Sequence, residues 1–483
     1  MDKFYITTSI PYVNAHPHIG FALEAVQADM LARWHRQLGD DVYFVTGTDE
    51  NSLKNVQAAQ KEGLETKALC DRNAEVFKSL KGYLNLSFDD FIRTTEGRHF
   101  KGAQKLWKAC KSEDIYKKQY KGYYCVGCES FLLEKDLVDG KCLTHQKEPD
   151  IVEEENYFFK LSNYQDKLLK LIESEEYKII PESRKNEIIS FIKMGLEDFS
   201  ISRSVERAHG WGVPVPDDDK QIMYVWIDAL SNYINALDYL NDGQLYQKYW
   251  PADVHVIGKD ITRFHAIYWP AILMSAGLAL PKNLFVHGFI NVGGQKMSKS
   301  LGNVIDPIEL STKYGTDTVR YFLLGHVHSF EDSDFDIERF EQIYNSDLVN
   351  GLGNLVNRVT NMIENYIDGD VKIDWSKVTP TPLANEEIRK FRFKEALQTI
   401  WLLIGNLNSL IENEKPWELA KSNDSKNKEA LPGILKSLAK DMYSIANGLT
   451  PFMPKTAEKI IGIITADKIK KPEEPLFPRI NNK

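Results

Sequence analysis

The chain has 483 residues, 43% of them hydrophobic, 27% charged and 11% aromatic, an ordinary globular balance at a length too great for one core. Lys and Arg total 60 against 69 Asp and Glu, a formal charge of −9, which excludes an overall basic coat for indiscriminate nucleic-acid binding but leaves room for a local basic face. Five cysteines exclude a disulfide scaffold. The chain opens on MDKFYITTSIPY, which has no basic segment followed by an apolar run, so no signal peptide is read there. Phe4 to Thr8 is short, β-branched and aromatic, a strand. After a turn around Pro11 and Asn14, apolar residues recur at Leu23, Val26, Met30, Trp34 and Leu38, a helical spacing that Gly39 ends. Val42 to Val45 is a continuous apolar run of buried-strand type. Strand, helix and strand in this order predict a βαβ unit and a parallel sheet. Residues 116–215 differ in character, hold three of the five cysteines and read as an insertion. Strand signals return at Val254–Ile257, ending at Gly258, and at Leu284–His287. The longest apolar stretch, Tyr268 to Leu280, is interrupted by Pro270 and Gly277 and falls short of the roughly 20 residues a membrane span needs. Beyond about residue 345 the strand signals vanish. Leu348, Val349, Leu352, Leu355, Val356, Val359, Met362 and Ile363 keep helical spacing, with similar patterns through 385–412 and 432–465 and a loop at 421–429.

The fold class expected is therefore α/β: a parallel-sheet domain from two distant pieces, 1–115 and 216–305, an insertion at 116–215, a connecting segment at 306–345, and an all-helical bundle at 346–483. A soluble cytoplasmic protein, with no membrane partner, is the corresponding expectation.

Two segments have the residue types that phosphate chemistry needs. His16-Pro17-His18-Ile19-Gly20 lies where the first strand gives way to the first long helix. A helix N-terminus offers N–H groups and positive dipole to phosphate oxygens, glycine permits close approach, and an imidazole can donate at a transition state. Alone, it also reads as a turn with two exposed histidines. Lys296-Met297-Ser298-Lys299-Ser300 follows a hairpin-like Gly293-Gly294, and its two lysines could neutralise a leaving pyrophosphate or simply form a solvated loop.

In this order and on this architecture the two segments resemble the class I aminoacyl-tRNA synthetases. His18-Ile19-Gly20-Phe21 matches the family's HIGH motif with one departure, and Lys296 to Ser300 spells KMSKS without change. Pro11 to Ala15, Thr46 to Glu50, Tyr224 to Ala229, and Gly258 to Ile261 with Phe264-His265 are similar to the methionyl branch, over essentially the whole chain. The resemblance implies a Rossmann-like catalytic domain, and a reaction in which methionine attacks the α-phosphorus of ATP, with Mg²⁺ accompanying the nucleotide, before the acyl group passes to tRNA(Met). It implies that His18 and Gly20 hold ATP phosphates, that Asp260 binds the ribose, that Lys299 with Lys296 stabilises the leaving pyrophosphate, and that Arg203 assists activation at the edge of the site. Asp49 would pair with the substrate ammonium. Tyr12 and His265 would donate toward the sulfur, with Ile10, Trp226, Ala229, Tyr233 and Ile261 around the side chain; the family has proline where Leu230 stands. In the bundle, Asn354 and Arg358 at i, i+4 and Trp417 after Pro416 match residues that read the anticodon.

Cys125-x2-Cys128-x13-Cys142-x2-His145 has the paired spacing of a tetrahedral Zn²⁺ knuckle. A closed four-ligand set means a structural metal, one per chain. Cys70 and Cys110 lack such spacing and read as core residues. Larger synthetases on the same scaffold need editing insertions that about 100 residues cannot hold, and small nucleotidyltransferases would lack the bundle. A noncatalytic zinc-containing RNA-binding protein is opposed by Asp49 and the intact lysine loop. No appended dimerising domain is read after Phe477, so a monomer is expected. Phe21, where the motif has its second histidine, leaves two readings open. Either a phosphate donor is replaced by His16 or the loop lysines, or Phe21 points into the core.

Overall fold

A computed structural model of the chain describes residues 2–125, 130–132, 137–143, 146–297 and 302–480. The chain divides into two compact units, one formed by residues 1–82 and 86–287, the other by 83–85 and 288–483.

The first unit is built on a six-stranded parallel sheet of β1 (Lys3–Thr8), β2 (Asp41–Thr48), β3 (Asp90–Arg93), β4 (Lys178–Ile180), β5 (Val254–Gly258) and β6 (Asn283–His287), in the order β3-β2-β1-β5-β6-β4. The register sets Ile6 opposite Phe44 on one side and Val254 on the other, so the apolar runs stack across the sheet. Helix α1 (Ile19–Leu38) crosses from β1 to β2 and is buried along most of its length. Gly39 ends it in the left-handed conformation, φ 92°, and its N–H returns to the Arg36 carbonyl at 3.0 Å. The order of strands reverses between β1 and β5. In open α/β sheets the crevice beyond the carboxyl ends at such a reversal is where ligands bind.

The sheet draws on a third piece of chain that the sequence reading left in the insertion. β4 pairs parallel with β6, Lys178 opposite Asn283 and Ile180 opposite Phe285. Its three residues carry too short an apolar run to be read as a strand, and the hydrogen bonds offered by β6 decide the matter. The insertion also holds a long antiparallel pair, Ile115–Cys125 against Asp150–Phe159, the centre of a four-stranded sheet, followed by helices Gln165–Glu173 and Glu182–Lys193. Cys70 and Cys110 are buried, and burial pushes both thiols up to about 12, as befits core residues.

The second unit contains the hairpin Ile290–Val292 and Gln295–Lys296, with a third short strand, Ser333–Phe335. Gly293 and Gly294 both have positive φ, 62° and 71°, as a two-residue type I′ turn requires. Helices Asn354–Ile367, Phe393–Glu414, Ser425–Leu449 and Pro454–Ile464 pack their apolar faces together. The expected loop at 421–429 shrinks to 422–424, because Asp424 caps the next helix by accepting from Lys426 N at 2.9 Å. Among the described residues no helix is long and apolar enough to cross a membrane.

Candidate active site

The carboxyl ends of the strands gather the sequence-predicted residues of the first unit. β1 runs out through Ser9 and Ile10 to Tyr12, which forms a parallel bridge with Asp49 just past the end of β2. Asp49 N donates to the Pro11 carbonyl at 2.9 Å, which locks the two segments side by side. Asp49 is buried, and its Oδ1 accepts the Asn51 amide at 3.2 Å. Lys54 Nζ lies 4.6 Å over the Tyr12 ring. Across the strand-order reversal, β5 ends at Gly258 and turns into Lys259–Ile261, placing Asp260 on the surface and Ile261 half-buried.

The apolar wall comes from the short helix Val225–Leu230 and its continuation, facing a π-helical turn at Phe264–Tyr268. Such turns re-aim side chains and are frequent at functional sites. Trp226 stacks on Phe264, ring centres 3.7 Å apart and nearly parallel. Ala229 and Tyr233 are buried beside them. The Tyr233 hydroxyl donates to His265 Nε2 at 2.6 Å, and His265 Nδ1 donates to the Ile261 carbonyl at 3.0 Å. The donor expected of His265 is thus spent inside the protein, and the ring braces Tyr233 against Ile261. Trp226 Nε1, by contrast, is buried with no hydrogen-bond partner among the described residues, a donor the sequence reading did not single out.

Burial drops the His265 imidazole to about 4 from its ordinary 6.5. The unfolded chain therefore takes up a proton near pH 6.5 that the folded chain resists until about pH 4. This contribution to stability is complete above pH 6.5 and is lost as pH falls toward 4, at about 1.4 kcal/mol per unit. Melting temperatures from pH 7 to 4.5 should fall less steeply for His265→Gln than for the unaltered protein. Parallel slopes would contradict the neutral ring.

His18 caps α1. Its backbone is extended, and its Nδ1 accepts the Gly20 amide at 3.1 Å. That acceptor role places the neutral ring's proton on Nε2, which makes the exposed imidazole an N–H donor at a helix N-terminus. Three residues on, Phe21 turns the other way. Its ring meets Phe77 edge-on at 5.3 Å and packs against the cluster of Val13, Cys70 and Ala74. Of the two readings left open, the core one describes its position. Arg203 lies buried on Ser202–Ser204, its guanidinium 5.9 Å from the Tyr124 ring and 5.6 Å from that of Tyr224.

A family model described as "tRNA synthetases class I (M)" matches residues 4–142 and 132–360. A methionine–tRNA ligase of Clostridium acetobutylicum is 46% identical over 95% of this chain and 72% of its own length. One from Brucella melitensis is 44% identical over 97% of this chain and 93% of its own. The solved Mycobacterium tuberculosis methionyl-tRNA synthetase in complex with methionyl-adenylate matches with a TM-score of 0.93 and 39% identity, over 99% of this chain and all of that one. The chain belongs to the class I methionyl-tRNA synthetase family.

Lys296 ends the glycine hairpin of the second unit, exposed, with Nζ 4.9 Å over the Phe289 ring. Lys299 lies outside the described residues. In the insertion, Cys125 and Cys142 are buried, 4% and 2% exposed, while Cys128 and His145 lie outside the described residues. Among the described residues no three potential ligands gather. Cys142 nevertheless sits in a tight turn, its N–H donating to the Lys147 carbonyl at 2.9 Å and its carbonyl accepting from Gln146 N at 2.8 Å. Gln146 and Gly140 hold positive φ on either side. Asn354 is exposed at the start of its helix, and Arg358, one turn on, donates to Glu412 at 2.6 Å. Trp417 lies half-buried in the first turn of Pro416–Lys421. Sequence reasoning missed the buried polar residues behind Asp49, which are Asn51, His99 and Asp228. Asp228 alone had a local signal, a carboxylate inside the apolar, motif-matched run Tyr224–Ala229, whereas Asn51 and His99 stand among polar neighbours and had none.

Proposed function

We propose that this synthetase activates L-methionine with ATP and transfers it to the terminal adenosine of tRNA(Met) for translation initiation and elongation. In the first step a methionine carboxylate oxygen bonds to the α-phosphorus as the bond to the β-phosphate oxygen breaks, leaving methionyl-adenylate and pyrophosphate. In the second, a hydroxyl of the terminal ribose attacks the acyl carbon and AMP leaves. Mg²⁺ accompanies the ATP. The observation that carries this reading is the juxtaposition of Asp49 and Tyr12 beside an apolar wall, at the carboxyl edge of the sheet where strand order reverses.

In this reading Asp49 holds the α-ammonium, an anion already fixed in place. Ile10, Tyr12, Trp226, Ala229, Tyr233, Ile261 and His265 enclose the thioether, whose sulfur accepts weakly. The Trp226 N–H, without a partner among the described residues, supports a donor there besides Tyr12. His18 and Gly20 meet the phosphates at the α1 N-terminus, Asp260 the ribose, and Arg203, Lys296 and Lys299 the charge that develops. The protein contributes position and charge stabilisation rather than covalent chemistry. Residues 1–115 and 216–305 supply most of the catalytic domain around the insertion 116–215, which lends it the strand β4, while the lysine hairpin near the end of this stretch lies in the second compact unit. Residues 306–345 connect to the anticodon-binding helices 346–483, where Asn354, Arg358 and Trp417 face RNA. The protein works in the cytoplasm as a monomer, which light scattering reads directly. The deciding assay is ATP–pyrophosphate exchange dependent on methionine; exchange that ignores methionine, or prefers leucine or valine, ends the proposal.

The insertion holds one structural Zn²⁺ through Cys125, Cys128, Cys142 and His145. Support comes from the spacing, from the burial of both described cysteines and from the knuckle-like turn at Cys142. When bound, the metal would tie the Cys125/Cys128 pair to the Cys142/His145 pair. Purified protein should contain one zinc per chain, and Cys142→Ser should lose it and become more susceptible to proteolysis within 116–150. Zinc-free protein with an intact insertion would refute the site.

A further inference from the structure

Behind Asp49 runs a chain of buried polar groups. The Asn51 amide N–H holds the Asp49 carboxylate at 3.2 Å, and the Asn51 side chain donates to Asp228 Oδ2 at 2.8 Å and to the Thr94 carbonyl at 3.1 Å. Asp228 Oδ1 lies 2.5 Å from His99 Nε2. Asn235 Nδ2 donates to Ser231 Oγ at 2.9 Å, and lies 3.4 Å from His99 Nδ1 and 3.3 Å from the His99 carbonyl. Asn51, Asp228, His99 and Asn235 are all buried. Helix Gly97–Ala109 comes close enough here that a Cβ on Gly102 would lie 2.0 Å from Asn235 Oδ1. Asp228 is two residues from Trp226 and next to Ala229, on the helix that supplies the apolar wall.

A buried carboxylate is costly to keep. Here each of its oxygens is used, one toward the Asp49 segment and one toward a separate helix. We propose that His99, Asp228 and Asn51 are positioning residues that fix Asp49 relative to the Trp226 helix, so that the substrate's ammonium and its side chain are recognised at one set separation. The inference rests on Asp49 as the ammonium partner. A half-satisfied network loses more than one bond, because the freed carboxylate seeks other partners and drags its neighbours. A carboxylic acid with the right side chain but no ammonium gains nothing from this arrangement.

The test compares binding of L-methionine and of 4-(methylthio)butanoate, which lacks the α-amino group, by isothermal titration. Asp49→Asn should weaken methionine about tenfold or more and the analogue less than about twofold. Asn51→Ser and Asp228→Asn should show the same selectivity, with methionine weakened about tenfold. His99→Gln, which keeps an N–H donor, should recover most of the affinity that His99→Ala loses. Thermal melting identifies any variant that has lost its fold, and the mildest change, Asp228→Asn, keeps the comparison available. If Asp49→Asn is selective while Asn51→Ser and Asp228→Asn weaken both ligands alike, or neither, the positioning role is wrong and the ammonium assignment stands. If Asp49→Asn itself weakens both equally, the ammonium assignment falls and the inference falls with it.

Discussion

His18→Ala is expected to slow methionine-dependent pyrophosphate exchange by about 10²–10³-fold, the usual cost of one transition-state donor, while methionine binding changes by less than about twofold. The reason lies in how the ring is held. Nδ1 accepts the Gly20 amide, so the ring is oriented by the helix it caps and carries its proton on Nε2. Phe21 packs on Phe77, so the position where the family motif has a second histidine belongs to the core in this chain. The motif then has one imidazole rather than two, and its removal should be felt more fully. Alanine also removes a cap, which costs about 0.5–2 kcal/mol of stability in its own right. His18→Asn separates the two effects, since asparagine caps well but offers no imidazole. The catalytic reading expects His18→Asn to melt near the unaltered protein and still to exchange poorly. Near-normal exchange by a folded His18→Asn would make this histidine a structural cap.

The βαβ opening was legible because its signals are local. Apolar runs at Phe4–Thr8 and Val42–Val45 are long enough to be strands, and Gly39 supplies a stop that the left-handed cap at φ 92° bears out. β4 was not legible, since three residues gain strand identity only from the neighbour they join. The start of the helix Ser425–Leu449 was hidden by a polar first turn, where a cap from Asp424 outweighs composition. The direction of Phe21 could not be read from spacing, because the apolar cluster that receives it comes from Val13 and from a helix about 50 residues on. The pocket residues were found by motif, whereas the network behind them was not. His99 meets Asp228 across 129 residues and Asn51 meets it across 177, and no local pattern announces such pairs.

Trp417→Ala is expected to raise the KM for tRNA(Met) roughly 5- to 150-fold, the range that about 1–3 kcal/mol per stacked base implies, with exchange in the absence of tRNA unchanged. Single-stranded loops are read by aromatic stacking and by hydrogen bonds to base edges. Lys415 takes a positive φ of 44° and Pro416 starts the next helix, which together fix where the Trp417 ring leaves the backbone. The ring is half-buried, so it can pack on one side and still offer area on the other. Arg358 supports the same reading. Its partner Glu412 is 62% exposed, and an exposed pair of this kind is worth at most about 1 kcal/mol, a contact that a base or phosphate can replace at little loss. The two assays should part because Trp417 belongs to the second compact unit, while Asp49, His18 and the apolar wall belong to the first. Arg358→Ala should follow Trp417→Ala with a smaller rise. If Trp417→Ala lowered exchange and aminoacylation equally, the loss would trace to a fold that needs this ring, and Trp417 would be a packing residue with no part in reading the anticodon.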